Sequence, residues 1–104
     1  MLELRPNCEW CDVDLPADSD QAMICSYECT YCATCVESVL KNVCATCGGG
    51  FVHRPIRPRR NHRDGKQLGL ANQPASTQRV TSQWTREQVD EQADRLASVA
   101  PGDR

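Results

Sequence analysis

The run Cys25-Ser26-Tyr27-Glu28-Cys29-Thr30-Tyr31-Cys32-Ala33-Thr34-Cys35 packs four cysteines into eleven residues. Outward from it, Cys8-Glu9-Trp10-Cys11 lies upstream and Cys44-Ala45-Thr46-Cys47 downstream. The full ladder reads Cys8-x2-Cys11-x13-Cys25-x3-Cys29-x2-Cys32-x2-Cys35-x8-Cys44-x2-Cys47, and no cysteine follows it. A two-residue gap lets two thiolates curl round one ion while the intervening N–H groups point at sulfur. Zinc takes four such ligands in a closed tetrahedron when its role is structural. Eight cysteines supply two complete sets with none left over.

Other uses of cysteine fit less well. A disulfide scaffold also takes an even count, but CxxC pairs close small strained loops. The opening Met1-Leu2-Glu3-Leu4-Arg5-Pro6 has no apolar stretch of the kind a secretory signal needs. A reducing, cytoplasmic compartment is therefore expected, and there dense cysteine means metal more often than disulfide. The ferredoxin-type continuation, a further Cys three residues on followed by Pro, is missing after Cys35, where Val36-Glu37-Ser38-Val39-Leu40 stands. No βαβ pattern surrounds a CxxC as a thioredoxin-like redox site requires. His53 and His62 lie outside the cysteine block and are not needed as ligands.

The ligand series resembles that of RING fingers, with Cys29 where the fourth ligand is commonly His. The stretch Cys29 to Leu40 is similar to the run from that ligand into the central RING helix. The resemblance covers residues 8–47 and implies a cross-brace, with Cys8, Cys11, Cys32 and Cys35 on one zinc and Cys25, Cys29, Cys44 and Cys47 on the other. Two consecutive sites, Cys8/Cys11/Cys25/Cys29 and Cys32/Cys35/Cys44/Cys47, remain the alternative. The expected fold class is a small metal-stabilised α+β domain, RING-like or treble-clef. Its parts are a hairpin from Ala22-Met23-Ile24 and Tyr27 to Tyr31, one helix with Val36, Val39, Leu40 and Val43 on its apolar face, and a closing strand at Phe51-Val52. Trp10, inside the first CxxC, reads equally as a lid over a zinc site or as a contact residue. LELRPNCEWCDVDLPADS, ICSYECTYC and CGGGFVHRP together resemble a small bacterial cysteine-rich family, a domain of unknown function, over residues 1–58. That resemblance implies zinc binding and an intracellular bacterial setting, with no known activity.

Charge divides the 104 residues into three. Residues 1–50 carry eight acidic and two basic side chains, 51–66 one acidic and six basic, and 67–104 five acidic and four basic. The reading gives a two-zinc domain at 1–56, a basic then polar flexible linker at 57–83, and an amphipathic helix at 84–100. Pro55 and Pro58 break the basic stretch. Its cations Arg54, Arg57, Arg59, Arg60, Arg63 and Lys66 are candidates for tracking phosphates, or for a solvated or self-docking arm. No aromatic residue lies between Phe51 and Trp84 to stack a base. Residues 67–82 are too polar to order themselves by apolar burial. Thr85-Arg86-Glu87-Gln88 has the form of a capping box, Val89, Ala93, Leu96, Ala97 and Ala100 share one face, and Pro101-Gly102 ends the helix.

The expected function is a non-enzymatic module with two Zn2+ ions, mediating protein interaction or regulation with an unidentified protein partner. Nucleic-acid binding through residues 54–66 is the alternative. RING-type ligase recruitment stands third, because Ala45 and Gly48 replace the Pro and basic residue usual on that docking surface. No apolar run approaches the roughly 20 residues of a membrane span, and no small-molecule substrate is evident.

Overall fold

The computed structural model describes residues 1–104. Its elements are short: β1 (Ala22–Ile24), β2 (Thr30–Cys32), α1 (Ala33–Cys35) running directly into a π-helical turn (Val36–Leu40), β3 (Val52–His53), α2 (Arg86–Leu96) and a final 3-10 turn (Pro101–Asp103). The strands form one antiparallel sheet in the order β2-β1-β3. Ala22 pairs with Cys32 and Ile24 with Thr30 in the hairpin, while Met23 meets His53 and Ile24 meets Val52 on the other side. This is a small α+β fold, with the hairpin, helix and closing strand where the sequence predicts them.

Of the apolar face expected along the helix, Val36 and Leu40 are buried and Val39 packs at its edge, while Val43 is buried beyond the helix end. Lys41 and Asn42 adopt left-handed backbone and stop the helix, with both N–H groups turned back to Val36 O. The core joins Leu15, Ala22, Tyr31, Val36, Leu40, Phe51 and Val89 to five cysteines. Tyr31 and Phe51 meet edge to face at 5.5 Å between ring centroids. Only 21 of 104 residues are buried, so apolar burial alone is thin support for a fold of this length.

The capping box is present as predicted. Gln88 N donates to Thr85 Oγ1 and Thr85 N donates to Gln88 Oε1. Val89 and Ala93 are buried, and Val89 enters the main core, so α2 docks on the domain.

The segment expected as a flexible linker takes a defined path instead. Residues 76–82 form a strap alongside residues 4–9. Ser76 N donates to Leu4 O, Val80 exchanges two hydrogen bonds with the buried Asn7 amide, and Ser82 N donates to Glu9 O. Arg79 reaches Asp12 and Asp14, and Trp84 Nε1 donates to Thr46 Oγ1 at 2.9 Å. An estimate from apolar content misses these polar ties.

Arg54 also departs from its expected role. It is 4% exposed, and its guanidinium donates to the carbonyls of Arg5, Leu15 and Pro16 at 2.8, 3.2 and 3.0 Å. Burial pulls its pKa below the usual arginine value. Arg54→Ala strands buried acceptors on two segments, which costs about 3 kcal/mol. Denaturant unfolding of the metal-loaded chain checks this; a loss under about 0.5 kcal/mol, the scale of an ordinary surface substitution, contradicts it.

Candidate metal centres

Cysteines reach the two clusters from four pieces of chain. The first knuckle, Cys8–Cys11, is closed by Asp12 N to Cys8 O (3.0 Å) and Cys8 N to Val13 O (2.9 Å). The last knuckle, Cys44–Cys47, repeats the pattern with Gly48 N to Cys44 O and Cys44 N to Gly49 O, both 2.8 Å. Asp12 (φ 66) and Gly48 (φ 79) occupy the same left-handed position. Glycine takes it freely, and aspartate is among the few other residues that visit it routinely. Between the knuckles, Cys25 follows β1 and Cys29 precedes β2 across a tight turn with Glu28 at φ 68. Cys32 ends β2 and caps α1, and Cys35 ends α1.

The sulfurs of Cys8, Cys11, Cys32 and Cys35 all lie within 4.8 Å of one another, as do those of Cys25, Cys44 and Cys47. Cys29 completes the neighbourhood of the second cluster through contacts with Cys25 and Cys44, although it falls outside that mutual 4.8 Å set. This is the interleaved grouping: Cys25 sits with Cys44 and Cys47, away from Cys8 and Cys11. Neither His53 nor His62 belongs to a cluster.

The donor sets fit a metal. Four sulfurs at about 2.3 Å from a central ion in a tetrahedron lie about 3.8 Å apart. Cys11 Sγ and Cys32 Sγ are 3.8 Å apart, and none of the eight cysteines is in a disulfide. Backbone N–H groups turn towards sulfur at both clusters: Cys35 to Cys32, Tyr27 to Cys25 and Gly49 to Cys47, at 3.3–3.4 Å. Such bonds favour thiolate.

Burial and sulfur–sulfur contact shift several of the thiols. Burial pushes Cys25 up to about 11. Burial, then contact with Cys32, raises Cys35. Contact with the Cys29 thiol and then burial raise Cys44, and the same contact draws Cys29 down to about 6. A central cation would favour the thiolate form at each of its ligands.

The two clusters differ in surroundings. A cavity of about 400 Å³ opens beside the first, lined by Cys11, Cys32 and Cys35 with Val13, Leu15 and Gln21. The C-terminal segment covers the second: Gln92 Nε2 donates to Cys44 O and Ala45 O, and Arg104 Nη1 to Asn42 O and Gly48 O. A side chain at Gly48 would meet Leu96 at 3.0 Å. Trp10 is half-buried against the core.

The residues proposed for nucleic acid divide. Arg54 is a buried clamp, and Arg57 donates to Leu2 O and Gln73 O, so both are withdrawn from that role. Arg59, Arg60, Arg63 and Lys66 are exposed on one loop. Sequence reading missed Asn7, Glu9 and Arg79. Asn7 ties the first knuckle to the strap. Glu9 is 6% exposed, accepts from Arg5 Nη1 at 2.7 Å and from Thr30 N, and so ties that knuckle to β2. The only signal for Asn7 and Glu9 was position beside Cys8, which does not separate a buried polar residue from a solvated one, and Arg79 carried no local signal.

A small α+β fold assembled around two cysteine clusters defines a module whose clusters suggest two metal sites. Residues 1–57 match the model of a family described as a protein of unknown function, DUF1272. An uncharacterised protein of Rhizobium meliloti strain 1021 is 54% identical over 80 residues, spanning 77% of this chain and 86% of its own length. The chain belongs to the DUF1272 family. No solved structure matches it. No helix is long and apolar enough to cross a membrane.

Protons and metal compete for the same sulfurs, so affinity falls as pH falls. Native mass spectrometry across a pH series is expected to show two bound ions at neutral pH and stepwise loss in acid, accompanied by loss of the folded circular dichroism spectrum. Chelator at neutral pH is expected to give the same unfolding. A folded spectrum that outlives the metal contradicts it. Cys8→Ser or Cys32→Ser is expected to remove one ion.

Proposed function

We propose that this chain is a non-enzymatic zinc-binding module in which two zinc ions build the domain and the finished surface serves protein interaction or regulation. The convergence of Cys8, Cys11, Cys32 and Cys35, with backbone N–H groups turned towards sulfur, carries the reading. Zinc suits an all-thiolate tetrahedral set of the closed, structural kind. Cysteine–zinc sites of this type belong in a reducing compartment such as the cytoplasm. The thiols are the strongest nucleophiles in the chain, and they are gathered where they act as ligands, which favours binding over catalysis. Ligase-type recruitment is disfavoured because α2 lies over the backbone at Ala45 and beside Gly48.

Metal analysis of the purified full chain tests the zinc assignment. Two zinc ions per chain support it, and iron or no metal overturns it. Cross-linking in the host followed by affinity capture tests the interaction role. A protein retained by the zinc-loaded chain and lost by Cys8→Ser is expected, and equal recovery by both forms contradicts a role that depends on the metal-built fold.

A further inference from the structure

Away from both clusters, a groove of about 290 Å³ lies between the N-terminal segment, residues 55–58 and Leu68. Its floor is Leu4, 2% exposed, and its walls include Leu2, Ile56, Pro58 and Leu68. Ile56 and Leu68 are about half exposed, and Met1 stands at the mouth. Large apolar side chains lining a concavity invite an apolar group. Pro58 and Leu68 are also the two ends of the loop that carries Arg59, Arg60, Arg63 and Lys66 against the single acid Asp64. None of these four cations is in an ion pair; the salt bridges belong to Arg5, Arg79, Arg86 and Arg95.

The loop is held in place. Leu70 N donates to Pro58 O across its base, and Asn61 Nδ2 donates to Arg63 O and Lys66 O across its tip. Gly69 has φ +85, and a Cβ there would lie 2.7 Å from the Arg60 carbonyl carbon. Arg57 fastens one wall to the other by bonding Leu2 O and Gln73 O. The apolar groove and the backbone of the adjoining cationic loop are thus preformed, which lowers the ordering cost of binding.

We propose that this groove binds an acidic peptide segment that places one apolar side chain between Leu2, Ile56 and Leu68 and its carboxylates against Arg59, Arg60, Arg63 and Lys66. The proposal rests on the reading of the chain as a protein-interaction module and names where, and to what chemistry, that module binds. A nucleic-acid duplex would engage the cations and leave the groove unfilled. A membrane surface takes protruding apolar side chains on an amphipathic face, whereas here the apolar floor is recessed. An acidic segment with an apolar anchor uses both halves.

The zinc-loaded full chain is panned against a display library of random short peptides. Enriched peptides are then measured by fluorescence anisotropy against wild type, Leu68→Glu and the double variant Arg60→Glu/Arg63→Glu. Both variants change exposed side chains, and unchanged metal content confirms their fold. The expected result is enrichment of peptides with Asp or Glu flanking Leu, Ile, Met or Phe. Their affinity is expected to fall at least about tenfold in each variant and to weaken with salt. Failure to enrich such peptides overturns the proposal. Equal binding to all three proteins also overturns it, and shows a peptide-binding module whose site lies elsewhere. A short DNA duplex or anionic phosphatidylglycerol vesicles that bind more tightly than the peptides, with loss in Arg60→Glu/Arg63→Glu, assign the surface to those ligands instead.

Discussion

Sulfur crowding is the constraint on which this fold turns. Cys8–Cys11, the run Cys25–Cys35 and Cys44–Cys47 bring their cysteines into two clusters, one with four sulfurs within 4.8 Å of one another. Two thiolate charges about 4 Å apart repel by about 4 kcal/mol at an effective dielectric constant near 20. Burial and crowding raise Cys25, Cys35 and Cys44, while contact with Cys44 draws Cys29 down. A cation at each cluster would turn the same crowding into a link between the segments. The brevity of the elements follows. Three-residue strands and a three-residue α-helix have little stability of their own. Each begins, ends or adjoins a cysteine of one of the clusters.

A fold made largely of turns exposes a different need. Irregular backbone leaves carbonyls without sheet or helix partners, and buried carbonyls require donors. Arginine meets that need repeatedly here. Arg54 joins Arg5, Leu15 and Pro16; Arg57 joins Leu2 and Gln73; Arg104 joins Asn42, Gly48 and Val99. Each guanidinium fastens residues that the ladder of strands does not reach. Arginine count in this chain therefore overstates its free positive charge. The cations of the Arg59–Lys66 loop, which joins two walls of the groove, take part in no ion pair.

The ligand-bearing half was legible because cysteine spacing is a local signal with few solutions. Hairpin, helix and closing strand followed from short apolar runs between fixed points, and the Thr85–Gln88 capping box is a purely local pattern. The strap at 76–82 was not legible, because it is held by an amide, two carboxylates and backbone groups contributed by residues 4–14. Its composition matches that of segments lacking order, and only the distant partners distinguish the two. Arg54 and Arg57 misled for the same reason. Their sequence neighbourhood is basic, while their spatial neighbourhood is a set of carbonyls. The rhizobial relative matches 80 residues of this chain, more than the 57 of the family model, so at least 23 residues outside the family's boundary share in the similarity.

Interleaving of the clusters also imposes an order on assembly as the chain is made. The first set is complete once Cys35 has been synthesised, while the second still lacks Cys44 and Cys47. Closing the first set encloses Cys25 and Cys29 in the loop between Cys11 and Cys32, so half of the second set is confined before its remaining ligands exist. Val89, which fills the shared core, arrives last. Synthesis from the N-terminus thus makes the first set available before the second.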